Sequence, residues 1–235
     1  MRHLVKQIHK THQFLSSQLI YPLLLSTLLA GFLLGARVLV SHTLAYKNLV
    51  WNLFLAWMPY GFSLWAALLN VRNPGRWWVL LIPGGLWLIF FPNAPYIVTD
   101  FLHLETRPYI PLWYDITMLA TFAWTGCFLA IASLRTMQIL VRNYLGWITG
   151  WLFAAGVLSL GGLGIYLGRF SRWNSWDLLL NPKGVAKDVI LRFIDPLGNL
   201  RFFGFTLIFT AFLVVCYLTF ISVRRIGDPD RLRYE

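Results

Sequence analysis

The sequence predicts an all-α polytopic membrane helix bundle, with six transmembrane helices, a broken third span and an interfacial amphipathic helix between spans 5 and 6. Three observations carry that prediction. The 235 residues are 58% hydrophobic and only 12% charged, where a soluble domain carries about a quarter charged residues, and the mean hydropathy is +0.62. The uncharged residues fall in long blocks of roughly the ~20 residues that cross a bilayer core. Aromatics make up 17% of the chain, with twelve Trp, and Trp and Tyr favour the headgroup level, where an amphipathic ring meets both media.

The first apolar block, Ile20–Val40, follows a basic, histidine-containing segment, Met1–Gln18, that carries Arg2, Lys6 and Lys10 with His3, His9 and His12. The block is longer than the ~7–15 residues of a signal-peptide core and reads as a retained first span. Leu49–Leu69 is the second, with Pro59 near its middle, a kink that membrane bundles tolerate. Asn73-Pro74-Gly75 breaks the chain into a turn. Trp77–Phe91 is the third apolar run, interrupted by Pro83-Gly84-Gly85. At ~1.5 Å per residue it falls short of a ~30 Å core, so it must borrow length from Pro92-Asn93-Ala94-Pro95, to about residue 97, or the membrane must thin locally. Trp113–Leu134 is the fourth span. Gly146–Gly168 is the fifth, with seven glycines including the pairs Gly146/Gly150 and Gly164/Gly168. Small residues at that spacing let backbones approach, which marks this span as the central, tightly packed helix. Residues 169–202 form the one long loop and Phe203–Val223 the sixth span. The whole chain is expected to be a single membrane domain.

Net charge is +11, from twenty Lys and Arg against nine Asp and Glu. In a membrane chain such cations flank spans and meet anionic lipid; nucleic acid is not an expected partner. Cys127 and Cys216 lie inside apolar blocks without CxxC spacing, which suggests neither zinc nor a disulfide framework. Counting Lys and Arg in the connections places eleven on the side of the N-terminus. Both termini are therefore expected to be cytoplasmic. The long loop between spans 5 and 6 opposes that count with six cations of its own.

With this orientation, two polar segments face outward. One reads FFPNAPYIVTDFLHL, from Phe90 to Leu104, and carries Asn93, Asp100 and His103. Asn93 is placed to cap the helix that Ala94-Pro95 begins. Asp100 and His103 are three apart and share a helix face; an aspartate there can orient an imidazole, raise its pKa or join it as a metal ligand. Asp115, at the start of span 4, is the further metal candidate. The other segment is Gly168–Asp177, GRFSRWNSWD. Its Arg169 and Arg172 can clamp an anion, while Trp173, Asn174 and Trp176 supply stacking and hydrogen bonds. Asp177 joins Asp100 and His103 as a catalytic candidate. The structural alternative has the Trp side chains as interfacial anchors, the Arg snorkelling to phosphates, and Asp100 paired with an arginine such as Arg169 to pin the outer loops. Within the same loop, Asn181-Pro182 reads as a helix start. Val185, Val189 and Phe193 form one stripe there, with Lys187, Asp188 and Arg192 off it, as in a helix lying on the membrane surface.

HExxH, a Walker A loop and a GxGxxG after a strand are all absent, so no particular cofactor is indicated. A rhomboid-type protease is excluded by the setting of Ser159 and by the lack of any histidine after His103. The spans hold few polar residues, chiefly Asn52, Ser63, Thr121, Ser159 and Thr210, which argues against an ionic pathway and hence against a transporter or channel. Phe91–Leu104 and Gly168–Asp177 resemble the PNAPYxxTDxxHL and RWNSWD-like segments of the bacterial integral-membrane family known as domain of unknown function 1361. That resemblance implies a six-span architecture with two marked segments, and it imports no mechanism. Two expectations stand: a scaffold or partner-binding component whose outer loops engage another membrane protein or a lipid-linked anionic ligand, or an enzyme acting on a lipid-linked or envelope substrate.

Overall fold

The computed structural model describes residues 18–107 and 109–226, apart from the side chains of residues 224–226. The basic and histidine-bearing segment up to residue 17, and the C-terminal cations Arg231 and Arg233, lie outside the described residues. Six helical stretches are long and apolar enough to cross a membrane: Ile20–Ser41, Asn48–Arg72, Trp77–His103, Leu112–Leu145, Trp147–Ser171 and Leu200–Val223. Among the described residues there is no strand beyond one isolated bridge between Arg107 and Ile110. The protein is a multi-pass helical membrane protein.

Packing divides it into two compact units, with the division between Met137 and Gln138. The division falls inside one helix, so no linker composition announces it.

In the first unit, helix α1 (Ile20–Ser41) and α2 (Asn48–Arg72) follow the expected first two spans, and α2 runs through Pro59. The third stretch is a chain of short helices. A 3-10 turn at Trp77–Leu80 leads into α3 (Leu81–Phe90), and α4 (Asn93–Tyr96) passes into a 3-10 helix at Ile97–His103. Pro83 does not interrupt it, because proline in the first turn of a helix removes only an amide that would have no intrahelical partner. The 27 residues of this stretch recover the length that Trp77–Phe91 lacks. Pro92, with φ −62° and ψ −23°, occupies the cap position of α4, and Asn93 is the first residue inside it. The expected Asn93 cap is therefore displaced by one residue: proline's fixed φ is already helical.

Helix α5 (Leu112–Leu145) is the fourth span. It continues through Arg135 and Arg142, which sequence counting places in a loop, because nothing breaks the helix before Gly146 at φ 92°. This helix, and not the glycine-rich fifth span, is the most enclosed. Burial covers 67% of its apolar window against 39% in the fifth. Ala123, Gly126, Ala130, Ala132 and Ser133 are small and buried, so neighbours can approach it closely. Within the first unit, α1 is stitched along α5 by Tyr114 Oη donating to Leu33 O (2.8 Å), a Ser26–Thr125 hydroxyl pair (2.5 Å) and Thr136 Oγ1 donating to Gln18 Oε1 (2.8 Å).

In the second unit, α6 (Trp147–Tyr166) packs on α9 (Leu200–Ile226). Gly162 is the close-approach residue: a Cβ there would sit 2.5 Å from Thr210 Oγ1 and 2.7 Å from Thr206 O. Gly146 has open space around it and serves as the break between α5 and α6. Tyr217 Oη of α9 donates to Gln138 Oε1 at 2.6 Å, buried.

Candidate functional site

In the first unit the PNAP segment is seated by one glycine. A Cβ on Gly126 would overlap the carbonyl oxygen of Ala94 and crowd Ile97 Cδ1 at 3.2 Å. Only a bare α5 backbone lets α4 lie that close, and the following 3-10 helix then holds Asp100 inward. Its carboxylate is buried and accepts a hydrogen bond from Asn52 Nδ2 of α2 at 2.8 Å. In a 3-10 helix, residues three apart eclipse, so Asp100 and His103 do share a face. That face crosses the burial boundary, however, and His103 is exposed. The His103 carbonyl accepts from Tyr46 Oη at 3.3 Å.

Tyr46 is the centre of a network that sequence reasoning missed. The Arg37 guanidinium lies 4.6 Å from the centre of its ring and that of Arg107 5.3 Å. Arg37, from the last turns of α1, holds Asp115, in the first turn of α5, with both forks: Nε to Oδ1 at 2.7 Å and Nη2 to Oδ2 at 3.1 Å. Arg37 and Asp115 are each 1% exposed. Ser41 and Thr43 hydroxyls accept further from Arg37 Nη1 at 3.5 and 3.4 Å. Burial, followed by the Asp115 charge, pushes the Tyr46 phenol above its ordinary value against the pull of Arg107 and Arg37. One signal in the sequence marked this group: an arginine inside an apolar run is a candidate by default. Asp115 is thus engaged on both oxygens by a cation, and among the described residues no three His, Cys, Asp or Glu assemble as a metal site.

The second segment lies in the second unit and is described there. After Tyr166 the chain takes a wide π turn, Leu167–Ser171, that Arg172 closes in the left-handed region at φ 60°. Such turns recur at functional sites. Asn174 donates to Asp177 Oδ2 from its amide (2.7 Å) and from its side chain (3.3 Å), so Asp177 folds its own turn ahead of the short α7 (Asp177–Leu180). Arg169 is part-buried, Arg172 and Asn174 are exposed, and Trp176 is 36% exposed. Trp173 donates from Nε1 to Asp188 Oδ2 at 3.0 Å, anchoring the turn to α8 (Pro182–Ile194).

Helix α8 begins as its sequence predicts, with Asn181 Oδ1 accepting from the Gly184 amide at 3.1 Å and Pro182 at the first position. Its packed face differs from the expected stripe. Val185 and Val189 do pack, joining Tyr166, Leu167 and Phe202, but Asp188 and Arg192 are turned inward with them. Arg192 forms an ion pair with Asp188, donates to Ser171 Oγ at 3.1 Å and lies 5.5 Å from the Tyr166 ring centre. Burial alone would raise the Asp188 pKa. Hydrogen bonds from Arg192, Trp173 and Ser171, with the Arg192 charge, outweigh it and hold the carboxyl below its usual range. Phe193, expected on the packed stripe, is 55% exposed and keeps only edge contacts to Phe202 and Phe203.

Six apolar spans and polar residues gathered at their ends define a multi-pass integral membrane protein. The family described as "Protein of unknown function (DUF1361)" matches residues 51–216, and the chain belongs to it. No curated protein and no solved structure matches the chain.

Proposed function

We propose that the chain is a scaffold or partner-binding component of a bacterial plasma membrane, with both termini cytoplasmic. Its outer-face Asp, His, Arg and Trp residues hold the span ends and present the loop between spans 5 and 6 to another membrane protein or a lipid-linked anionic ligand. The observation that carries this reading is the Arg37–Asp115 pair, which commits both oxygens of a candidate carboxylate to joining two spans. Asp177 is likewise engaged by its own turn and Asp100 by Asn52. Three of the hydroxyls within the spans are also occupied locally: Ser63, Thr121 and Ser159 each donate to a carbonyl of their own helix, which removes them from any ionic path.

The test compares Asp100→Ala with His103→Ala in a strain deleted for the chain, scoring inserted protein, thermal stability and rescue of the deletion phenotype together. A scaffold predicts that Asp100→Ala loses stability and rescue in step, while His103→Ala keeps both. If His103→Ala is folded and inserted yet fails to rescue, the alternative of a membrane enzyme with His103 as its base takes over.

A further inference from the structure

Helix α8 is turned opposite to a water-facing surface helix. Its polar pair, Asp188 and Arg192, points inward, and its outward face carries Lys183 and Lys187 followed by Ile190, Leu191 and Ile194, all exposed. Residues at these spacings lie on one side of a helix. Exposed apolar residues also flank α8: Leu180 ahead of it is 80% exposed and Leu197 beyond it 82%, and Leu200, Leu207 and Ile208 of α9 are exposed as well, as a membrane span's must be. Apolar surface left in water costs ~25 cal/mol per Å²; against acyl chains the same surface is in its proper medium.

The charges in this segment are arranged to match. Arg172, Lys183 and Lys187 are exposed. The nearby acids are engaged: Asp177 by Asn174, Asp188 by Arg192 and Trp173, and Asp195 by the Gly198 amide at 3.0 Å. Two further cations are folded onto rings, Arg192 beside Tyr166 and Arg201 at 4.5 Å from the Phe170 ring centre. Three exposed cations therefore share this segment with exposed apolar residues that lead along the chain into a membrane span.

We propose that Leu178–Leu200 is seated in one leaflet of the bilayer as a membrane-embedded element. Its leucine and isoleucine face lies in the acyl layer, and Arg172, Lys183 and Lys187 take the headgroup phosphates of an acidic phospholipid. The inference stands on observations within the second unit alone, and it makes acidic phospholipid, not a protein, the ligand of the loop that the scaffold reading presents. It also gives the loop cations a task that does not depend on which side of the membrane retains positive charge.

The experiment uses the full chain with Cys127→Ser and Cys216→Ser, spin-labelled at Ile194→Cys, reconstituted in vesicles of phosphatidylcholine alone or mixed with phosphatidylglycerol. The label is expected to be more accessible to oxygen than to a water-soluble nickel complex, matching a label at Leu207→Cys; Leu197→Cys repeats the measurement should Ile194→Cys not fold. Phosphatidylglycerol enrichment in the co-purified lipid is expected to fall about fivefold for each lysine replaced in Lys183→Gln and Lys187→Gln. Greater access to nickel at both labels, spin–spin broadening from a second copy covering the face, or unchanged enrichment in the double glutamine variant would each overturn the proposal.

Discussion

Each unit sets an arginine–aspartate pair beside an aromatic ring, but the two pairs do different work. Arg37 and Asp115 are 78 residues apart, come from different spans and have side chains that are 1% and 2% exposed. Asp188 and Arg192 are one turn apart on a single loop helix, and their side chains keep 27% and 18% of their exposure. The first pair fixes where one span end meets another. The second fixes which way a short helix faces, so that its polar side packs and its apolar side is left outward. Depth and sequence separation, not residue type, decide whether such a pair is a clamp between spans or a rotational lock.

The largest expected effect is therefore on the clamp. Arg37→Leu or Asp115→Leu alone leaves a buried charge without its partner and should cost ~3–5 kcal/mol, read as equilibrium unfolding in mixed detergent micelles by helical circular dichroism. A cost below ~1 kcal/mol, typical of an exposed ion pair, would make the Arg37–Asp115 pair no more of a clamp than Asp188–Arg192. Gly126→Ala comes next. Its Cβ must displace the Ala94 carbonyl, an overpacking cost of ~1–3 kcal/mol, whereas Gly156→Ala, with open space around it, should show no loss in the same assay.

The smallest effect is on the rotational lock, and it is set by pH. Asp188 releases its proton more readily in the folded protein than in the unfolded chain. Its contacts therefore contribute stability that is complete above the ordinary carboxylate value of 3.8 and is lost as pH falls through the lower folded value. Amide protection factors over residues 171–194, corrected for intrinsic exchange, should fall in acid, and Asp188→Asn should flatten that dependence while the protection factors in α1 and α5 stay as they were.

Much of this architecture was legible in the sequence, because a span is a one-dimensional signal. Ile20–Val40 needs no partner to be recognised, and Asn181-Pro182 announces its own helix. The site was legible only in part. Asp100, His103 and Asp115 do lie in one unit at the ends of spans, but the residue that engages Asp115 sits in span 1, and no local spacing connects the two. Tyr46, in a short connection, carried no signal at all. Helix periodicity found the side of α8 that holds Val185 and Val189. It could not show that Asp188 and Arg192 would neutralise each other and be packed on that same side, since in a membrane the outward face is allowed to be the apolar one. Glycine counting pointed to span 5, while the glycine that seats the PNAP segment is the lone Gly126 of span 4.

Arg37 and Asp115 act as one clamp, and a double-mutant cycle measures that directly. Arg37→Leu, Asp115→Leu and the double variant are unfolded in the same micelles. We predict a coupling of ~2–3 kcal/mol, so that the double variant loses well short of the sum of the two single losses. A coupling near zero, with the two single losses simply adding, would contradict the clamp.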